Sequence, residues 1–333
     1  MHGWLILDKP LGLGSTQAVS AVKRALREGG YGKAKVGHGG TLDPLASGVL
    51  PVALGEATKL AGRMLDSDKV YDFTIRFGVE TDTLDLEGKI VGESDVRPTR
   101  DEIEAMLPRF TGPIAQVPPA YSALKVDGER AYDLARAGEE VVLAQRNVTV
   151  HSLKSSPERG GGPSEGRWRG SAAGDAFAAP PLRHSPSASG PPPPAGEDRR
   201  EEVTLTAHVS KGTYIRSLAR YIGLALGTVG HVTYLRRTKA GPFDLEAAIS
   251  LDKLADAAKA QRLEELLLPL RAGLDDIPAL NLTPGQAGLL RLGQRLVGAT
   301  ADDGLAFAIA DDVPVALVEV SDGQVRVVRG FNL

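Results

Sequence analysis

G-H-G-G-T-L-D-P-L-A-S-G-V-L-P-V-A-L, Gly37 to Leu54, decides the reading of this 333-residue chain. A single acid, Asp43, stands there among glycine, small and apolar residues. Gly37, Gly39 and Gly40 let the backbone turn tightly or lie close to a ligand, because glycine has no Cβ. Pro44 biases Asp43 away from the α region, toward an extended or turn backbone. Val49 to Leu54 is a continuous apolar run, the pattern of a buried strand that would hold the loop still. A carboxylate in such surroundings is desolvated, so it is paired, shifted in pKa or used. The same residues also suit a glycine-rich turn in which Asp43 caps a backbone N–H. On this stretch alone the two possibilities stand side by side.

On its N-terminal side, Trp4 to Leu7 forms a short strand pattern that Asp8-Lys9-Pro10 is expected to break. Ser15 is a candidate N-cap, and Val19, Val22 and Leu26 follow at helical spacing up to Gly29-Gly30. On the other side, Tyr71, Phe73, Ile75 and Phe77 alternate with Asp72, Thr74 and Arg76, a strand with one apolar face. Glu80 to Gly88 is acidic, but Leu84 and Leu86 fall where a calcium loop starting at Asp82 needs oxygen ligands, so a solvated turn is expected. Thr99 to Leu107 has an amphipathic helical pattern. Tyr121 to Val126 is strand-like, Asp127-Gly128 signals a turn, and Glu129 to Ala137 has a helical pattern. Strands are expected at Val148–Leu153 and Val203–Val209, with a helix over Thr213–Leu226. That spacing puts Tyr214 and Arg216 at a helix start just past a strand end, where working side chains collect. Ser250 to Leu268 has one or two helical patterns, and short β-like runs follow at Leu305–Ala310, Val313–Val320 and Gln324–Val328.

A hydrophobic content of 42% supports a sizeable core, and the length suits one large domain plus a small one. The net charge of −3 names no partner, but Val203 to Gly241 holds Lys211, Arg216, Arg220, Arg236, Arg237 and Lys239 with no acid. Such a stretch is the footprint of a polyanion-binding surface. Cysteine is absent, which excludes disulfides and a thiolate metal site. The first residues meet an acid at Asp8 without a long apolar run, unlike a signal peptide. No apolar run reaches the ~20 residues of a membrane span, and a soluble cytoplasmic protein is expected. Residues 158–200 contain 8 Pro, 8 Gly and 5 Ser, the composition of a disordered insertion.

Gly37 to Leu50 resembles the catalytic motif of the TruB-type pseudouridine synthases, G-H-x-G-x-L-D-P-x-A-x-G-x-L, with every fixed position present. S-K-G-T-Y-I-R (Ser210–Arg216) resembles that family's second signature and H-V-T-Y-L-R-R (His231–Arg237) its third. The resemblance runs from Asp8-Lys9-Pro10 to about Pro269. It implies an α+β fold: a mixed-sheet catalytic domain over 1–275 with helices and an RNA-gripping loop, then a small C-terminal β-barrel-like, PUA-type domain over 276–333. The insertion replaces what is a short turn in the family. The implied substrate is uridine 55 in the T-loop of tRNA, bound by a monomer without metal or organic cofactor. By the same resemblance Asp43, Tyr71 and Arg216 are the catalytic set. Substrate and RNA contacts would come from His38, Tyr214, Lys125, Arg130, Lys211, Arg236 and Arg237, with Lys9 as structural support beside the site.

The reaction breaks the C1′–N1 bond of a uridine, turns the uracil and makes a C1′–C5 bond, so it needs neither redox change nor phosphate energy. One carboxylate beside the sugar can serve, by attack at C1′ or by removing a sugar proton. A uridine inside a folded loop must be flipped out first, at a cost of a few kcal/mol. A nucleotide-cofactor enzyme is the first rival reading, but Leu42 replaces the third glycine of G-x-G-x-x-G and no G-K-[ST] follows. The other is a non-catalytic RNA-binding or tRNA-folding protein on a synthase scaffold, against which Asp43, Tyr71 and Arg216 speak.

Overall fold

The computed structural model describes residues 1–126, 128–156 and 198–333. The chain runs β1 (Gly3–Lys9), α1 (Ser15–Glu28), β2 (Val36–His38), β3 (Ser47–Leu54), α2 (Ala61–Asp66), β4 (Lys69–Phe77), β5 (Val79–Thr81) and β6 (Ile90–Glu93). There follow α3 (Arg100–Met106), β7 (Gly112–Gln116), β8 (Lys125–Val126), β9 (Glu129–Arg130), α4 (Ala131–Arg136), β10 (Arg146–Ser155) and β11 (Glu202–Val209). Next come α5 (Ile215–Ala225), β12 (Gly230–Ala240), β13 (Phe243–Asp244) and α6 (Leu251–Lys259). The remainder is β14 (Ala279–Asn281), α7 (Pro284–Arg291), β15 (Leu296–Val297), β16 (Gly304–Ala310), β17 (Val313–Ser321) and β18 (Gln324–Gly330).

The main sheet has the order β1-β3-β12-β4-β11-β10-β7, with β2 added to β3 and β13 to β12. Only β3 and β12 pair in parallel, so the sheet is mixed and the fold is α+β, as expected. Strand β3 is apolar without alternation because both its faces are covered. Val49 and Ala53 pack with Trp4, Ile6 and Phe243. Leu50, Val52 and Leu54 pack with Leu5 and Leu7 and with Ala18, Val22 and Leu26 of α1. The alternation of β4 sends Phe73, Ile75 and Phe77 inward against Leu218, Ala219 and Ile222 of α5.

The last five strands make a second sheet, β14-β16-β17-β18-β15, with its own core under Ala287 and Leu290 of α7. This is the small β-rich unit anticipated for the C-terminal end. One apolar cluster crosses from it into the larger domain: Phe307, Ile309, Leu317 and Phe331 join Trp4, Leu60 and Leu270. Trp4 is fully buried, its ring centroid lies 5.3 Å from that of Phe243, and its indole N–H donates to the Leu270 carbonyl at 3.2 Å.

Several local expectations are corrected. β1 runs through Lys9 rather than stopping at Asp8, because the strand stays paired with β3 to its last residue. Gly14 caps α1, and Ser15 is the first helical residue, its hydroxyl engaged elsewhere. Tyr121–Val126 is mostly bends, with a two-residue strand at its end, and α4 starts only at Ala131. Asp198 to Arg200 were assigned to the insertion, yet Arg199 bridges Thr99 and the Arg200 N–H donates to the Pro98 carbonyl at 2.9 Å. Asp127 of the expected turn and residues 157–197, nearly all of the expected insertion, lie outside the described residues. The strands that flank it, β10 and β11, pair antiparallel up to Ser155 and Leu205.

Trp4→Ala should destabilise the protein by about 3–5 kcal/mol, the usual cost of removing a buried aromatic. Urea unfolding followed by tryptophan-independent circular dichroism measures it. A loss below about 1 kcal/mol would show that the cluster collapses onto the gap.

Candidate active site

Arg216 is the first side chain to explain. It lies in the first turn of α5, between residues that face the core, and only 7% of its side chain is exposed. A cation there opposes the positive end of the helix and has lost its water, so it needs anions. Two carboxylates supply them. Asp43 Oδ2 lies 2.8 Å from Nη2, and Asp85 Oδ2 lies 3.1 Å from Nη1. The same two nitrogens donate to the Tyr121 and Thr83 carbonyls, each at 2.9 Å. Asp85 is itself buried and fixed: its Oδ1 accepts from the Thr83 hydroxyl at 2.5 Å and the Glu87 N–H at 3.0 Å. Asp43 differs in one respect, since 43% of its side chain is open.

The opening leads into a cavity of about 250 Å³. Asp43, Tyr71, Tyr214, Arg216, Leu235 and Lys69 are among the residues that line it. Tyr71 belongs to β4, and Tyr214 is the N-cap residue of α5. The Tyr214 backbone is clamped by Gln116, whose amide accepts from its N–H at 2.8 Å and donates to its carbonyl at 3.1 Å. Burial raises the Tyr214 phenol above its ordinary pKa of 10.0.

The loop carrying Asp43 is pinned residue by residue. Ser15 Oγ accepts from the Leu42 N–H at 2.8 Å and donates to the Leu42 carbonyl at 3.0 Å. The Pro44 carbonyl accepts from the Gly12 N–H at 2.8 Å and from Lys9 Nζ at 3.5 Å. Arg237 Nη1 donates to the Thr41 carbonyl at 3.2 Å, and its Nε to Val49 at 2.8 Å. Gly48 has φ +102° and sits so close to β12 that a Cβ would collide with the Arg237 carbonyl. Glycine is required there on both counts.

Comparisons with known proteins bear on this arrangement. Residues 27–158 match the family model described as "TruB family pseudouridylate synthase (N terminal domain)". Residues 216–275 match that described as "tRNA pseudouridylate synthase B C-terminal domain". The tRNA pseudouridine synthase B of Novosphingobium aromaticivorans is 59% identical, over 100% of this chain and 98% of its own. The chain belongs to the TruB family of pseudouridine synthases. The tRNA pseudouridine synthase B of Zymomonas mobilis is 55% identical, over 100% of this chain and 96% of its own. Among solved structures, a chain of a Cbf5–Nop10–Gar1 complex shares the fold at a TM-score of 0.67 and 25% identity, covering 99% of this chain and 85% of that one. The chemistry of this TruB-family protein is therefore the isomerisation of uridine to pseudouridine in tRNA.

Of the residues expected at the TruB site, Asp43, Tyr71, Tyr214, Arg216 and Arg237 line one cavity. His38 does not line it; it sits half-buried in β2, where burial lowers its imidazole pKa and its Nδ1 has no partner. Lys9 and Arg237 are 0% and 1% exposed, so neither presents its charge to a surface phosphate. Lys9 donates to the Leu13 carbonyl. Arg237 donates through Nε and Nη1 to the Val49 and Thr41 carbonyls, while its buried Nη2 has no partner among the described residues. Arg236 is held by Asp8 at 2.8 Å, and Lys211 by Asp66 at 3.1 Å on an exposed surface. Lys125 and Arg130 face each other across the β8–β9 ribbon and are exposed.

Asp85, Gln116 and Ser15 were missed as site residues. Asp85 belongs to the stretch expected to be a solvated turn, and that expectation fails because Asp85 turns inward to Arg216. The usable signal was Arg216 itself: an arginine flanked by core positions of an amphipathic helix demands a buried acid. Nothing local marks Gln116 or Ser15, which act on backbone distant in sequence.

Two outcomes follow from the buried cations. Arg237→Gln leaves the Val49 carbonyl short of a donor, which should cost about 1–3 kcal/mol of stability. The salt dependence of tRNA binding should stay unchanged, because no phosphate contact is lost; a flatter salt slope in a binding titration would return Arg237 to the RNA interface. Burial also lowers the Lys9 and Lys69 pKa values from 10.5 to about 8. Between those values the unfolded chain binds the protons and the folded chain does not, so both lysines make stability rise with pH across that window. Lys69→Met should flatten the rise between about pH 8 and about pH 10 in urea unfolding, and an equal slope in both proteins would contradict it.

Proposed function

We propose that this protein converts uridine 55 in the T-loop of tRNA to pseudouridine, with Asp43 as the reacting carboxylate. The observation that carries the proposal is the Arg216 fork, which fixes Asp43 by one oxygen at 2.8 Å while its side chain stays open to the cavity. A charge-assisted bond of that kind sets position and direction together. The flipped uridine enters the cavity with its sugar toward Asp43. Asp43 either attacks C1′ and displaces N1, or takes a sugar proton as the C1′–N1 bond breaks. The uracil turns and C5 bonds to C1′, which releases the Asp43 carboxylate in the first route and returns the proton to the sugar in the second. The C5 proton then leaves to solvent while N1 takes one up. Tyr71 stacks on the base, an interaction of about 1–3 kcal/mol. Tyr214 borders the pocket on the α5 side.

The grip on the T-arm falls to the exposed cations. Lys125 and Arg130 are like charges placed opposite each other, an unfavourable pair that a phosphate between them would relieve. Lys211 holds only a surface pair with Asp66, worth little, and exchanges it readily for RNA. The small domain over 276–333 extends the contact. The protein acts as a cytoplasmic monomer on free tRNA.

Asp43→Asn decides between chemistry and scaffold. Single-turnover tritium release from tRNA labelled at uracil C5 should fall by roughly three orders of magnitude or more, as for loss of a central catalytic group. tRNA affinity, titrated in parallel, should hold. Near-normal release would remove Asp43 from the chemistry. A wild-type protein that binds tRNA without releasing tritium would instead be the tRNA-folding protein on a synthase scaffold.

A further inference from the structure

A second cluster of chemistry-bearing side chains lies outside the Asp43 cavity and takes no part in the reaction. Asp68, just ahead of β4, stands beside His151 of β10 and His208 of β11. Their ligand atoms all lie within 4.8 Å of one another. Both Nε2 atoms point to the same carboxylate oxygen: His151 lies 3.1 Å and His208 3.7 Å from Asp68 Oδ2. The two rings are tilted by 44° with centroids 4.7 Å apart, so they converge rather than stack flat.

The backbone explains the convergence. Val150 pairs with Val209 and Ser152 with His208, which leaves His151 as an extra residue in a bulge. Val150 and Leu153 are both buried, so the two residues between them lie outside the strict alternation. A bulge re-aims a side chain in this way. Here it sets His151 beside His208, which faces outward between the buried Ala207 and Val209.

We propose that Asp68, His151 and His208 form a binding site for a divalent transition-metal ion of the zinc class. A tetrahedral ion with bonds of about 2.0–2.1 Å has its ligands about 3.3 Å apart, and the two histidine–carboxylate separations bracket that spacing. Two imidazoles and one carboxylate suit Zn²⁺ or Co²⁺ and do not suit Mg²⁺, which needs an octahedron of oxygens. Three protein ligands leave the fourth position to water. The ion is a clasp. Lys69 and Val209, the chain neighbours of Asp68 and His208, both line the Asp43 cavity. A bound ion would tie the entry of β4 to the β10–β11 pair along that wall.

The test uses untagged, chelator-treated full-length protein. Isothermal titration with Zn²⁺ should give one saturable site per chain, and Mg²⁺ at the same concentrations should give none. Zn²⁺ should raise the melting temperature, because an ion that binds only the folded chain stabilises it by mass action. His151→Ala and His208→Ala should each weaken Zn²⁺ binding by at least about tenfold, since even indirect ligand partners are worth that much. Both should lose the thermal shift while melting like the wild type without metal, because these side chains are partly exposed. Asp68→Asn, nearly isosteric, should show the same loss and serves if a histidine variant folds poorly. Zn²⁺ affinity unchanged in these variants, or the lack of any saturable site in the wild type, would overturn the proposal.

Discussion

Everything near the cavity depends on a buried guanidinium that two carboxylates share. Arg216 cannot be left unpaired at 7% exposure, and one acid would leave half of its fork without a charged partner. Asp85 takes one nitrogen from the buried side, and Asp43 takes the other from the open side. The fork is planar and rigid, so fixing Asp85 through Thr83 and Glu87 also fixes the direction from which Asp43 is held. A lysine could not relay position in this way, because a single ammonium imposes no plane.

The carboxylate must be presented by a loop that does not move. Its immobility comes from three elements remote in sequence: Ser15 in α1, Lys9 in β1 and Arg237 in β12. Each meets a backbone group that the loop, being neither helix nor sheet, cannot satisfy internally. Burying two cations for this purpose is expensive, and the lowered pKa of Lys9 records part of the expense. The donors they give to carbonyls offset part of it.

The charge distribution has a similar logic. The basic run from Val203 to Gly241 looks like one RNA-facing surface, yet it divides among three tasks. Arg216 and Arg237 organise the site from inside, Arg220 and Arg236 are held by Glu80 and Asp8, and Lys211 and Lys239 stay on the surface. Cations near a reaction on a polyanion serve the protein's own carboxylates and carbonyls as well as the ligand.

The sequence by itself determined most of the strands and helices of the large domain and singled out Asp43. Alternation over Tyr71–Phe77, the unbroken apolar run of Val49–Leu54 and the helical spacing after Thr213 each have one physical solution, and the structure adopts it. Asp43 stood out because an acid among glycine and apolar residues has few stable roles, while the resemblance to the TruB family is what set it above a turn-former and grouped it with Arg216. Tertiary structure alone decided which acid faces inward, which arginine is exposed and which hydroxyl caps a helix. The inward turn of Asp85, the burial of Arg237 and the placement of the Ser15 hydroxyl were hidden from local reading for the same reason. Their local patterns fit a solvated turn, a basic surface and an N-cap, and nothing within a few residues opposes those choices. The partners that overrule them, Arg216, Val49 and Leu42, arrive only when β3, β12, α1 and α5 pack together. Burial then makes an unpaired charge or donor cost more than the local preference is worth.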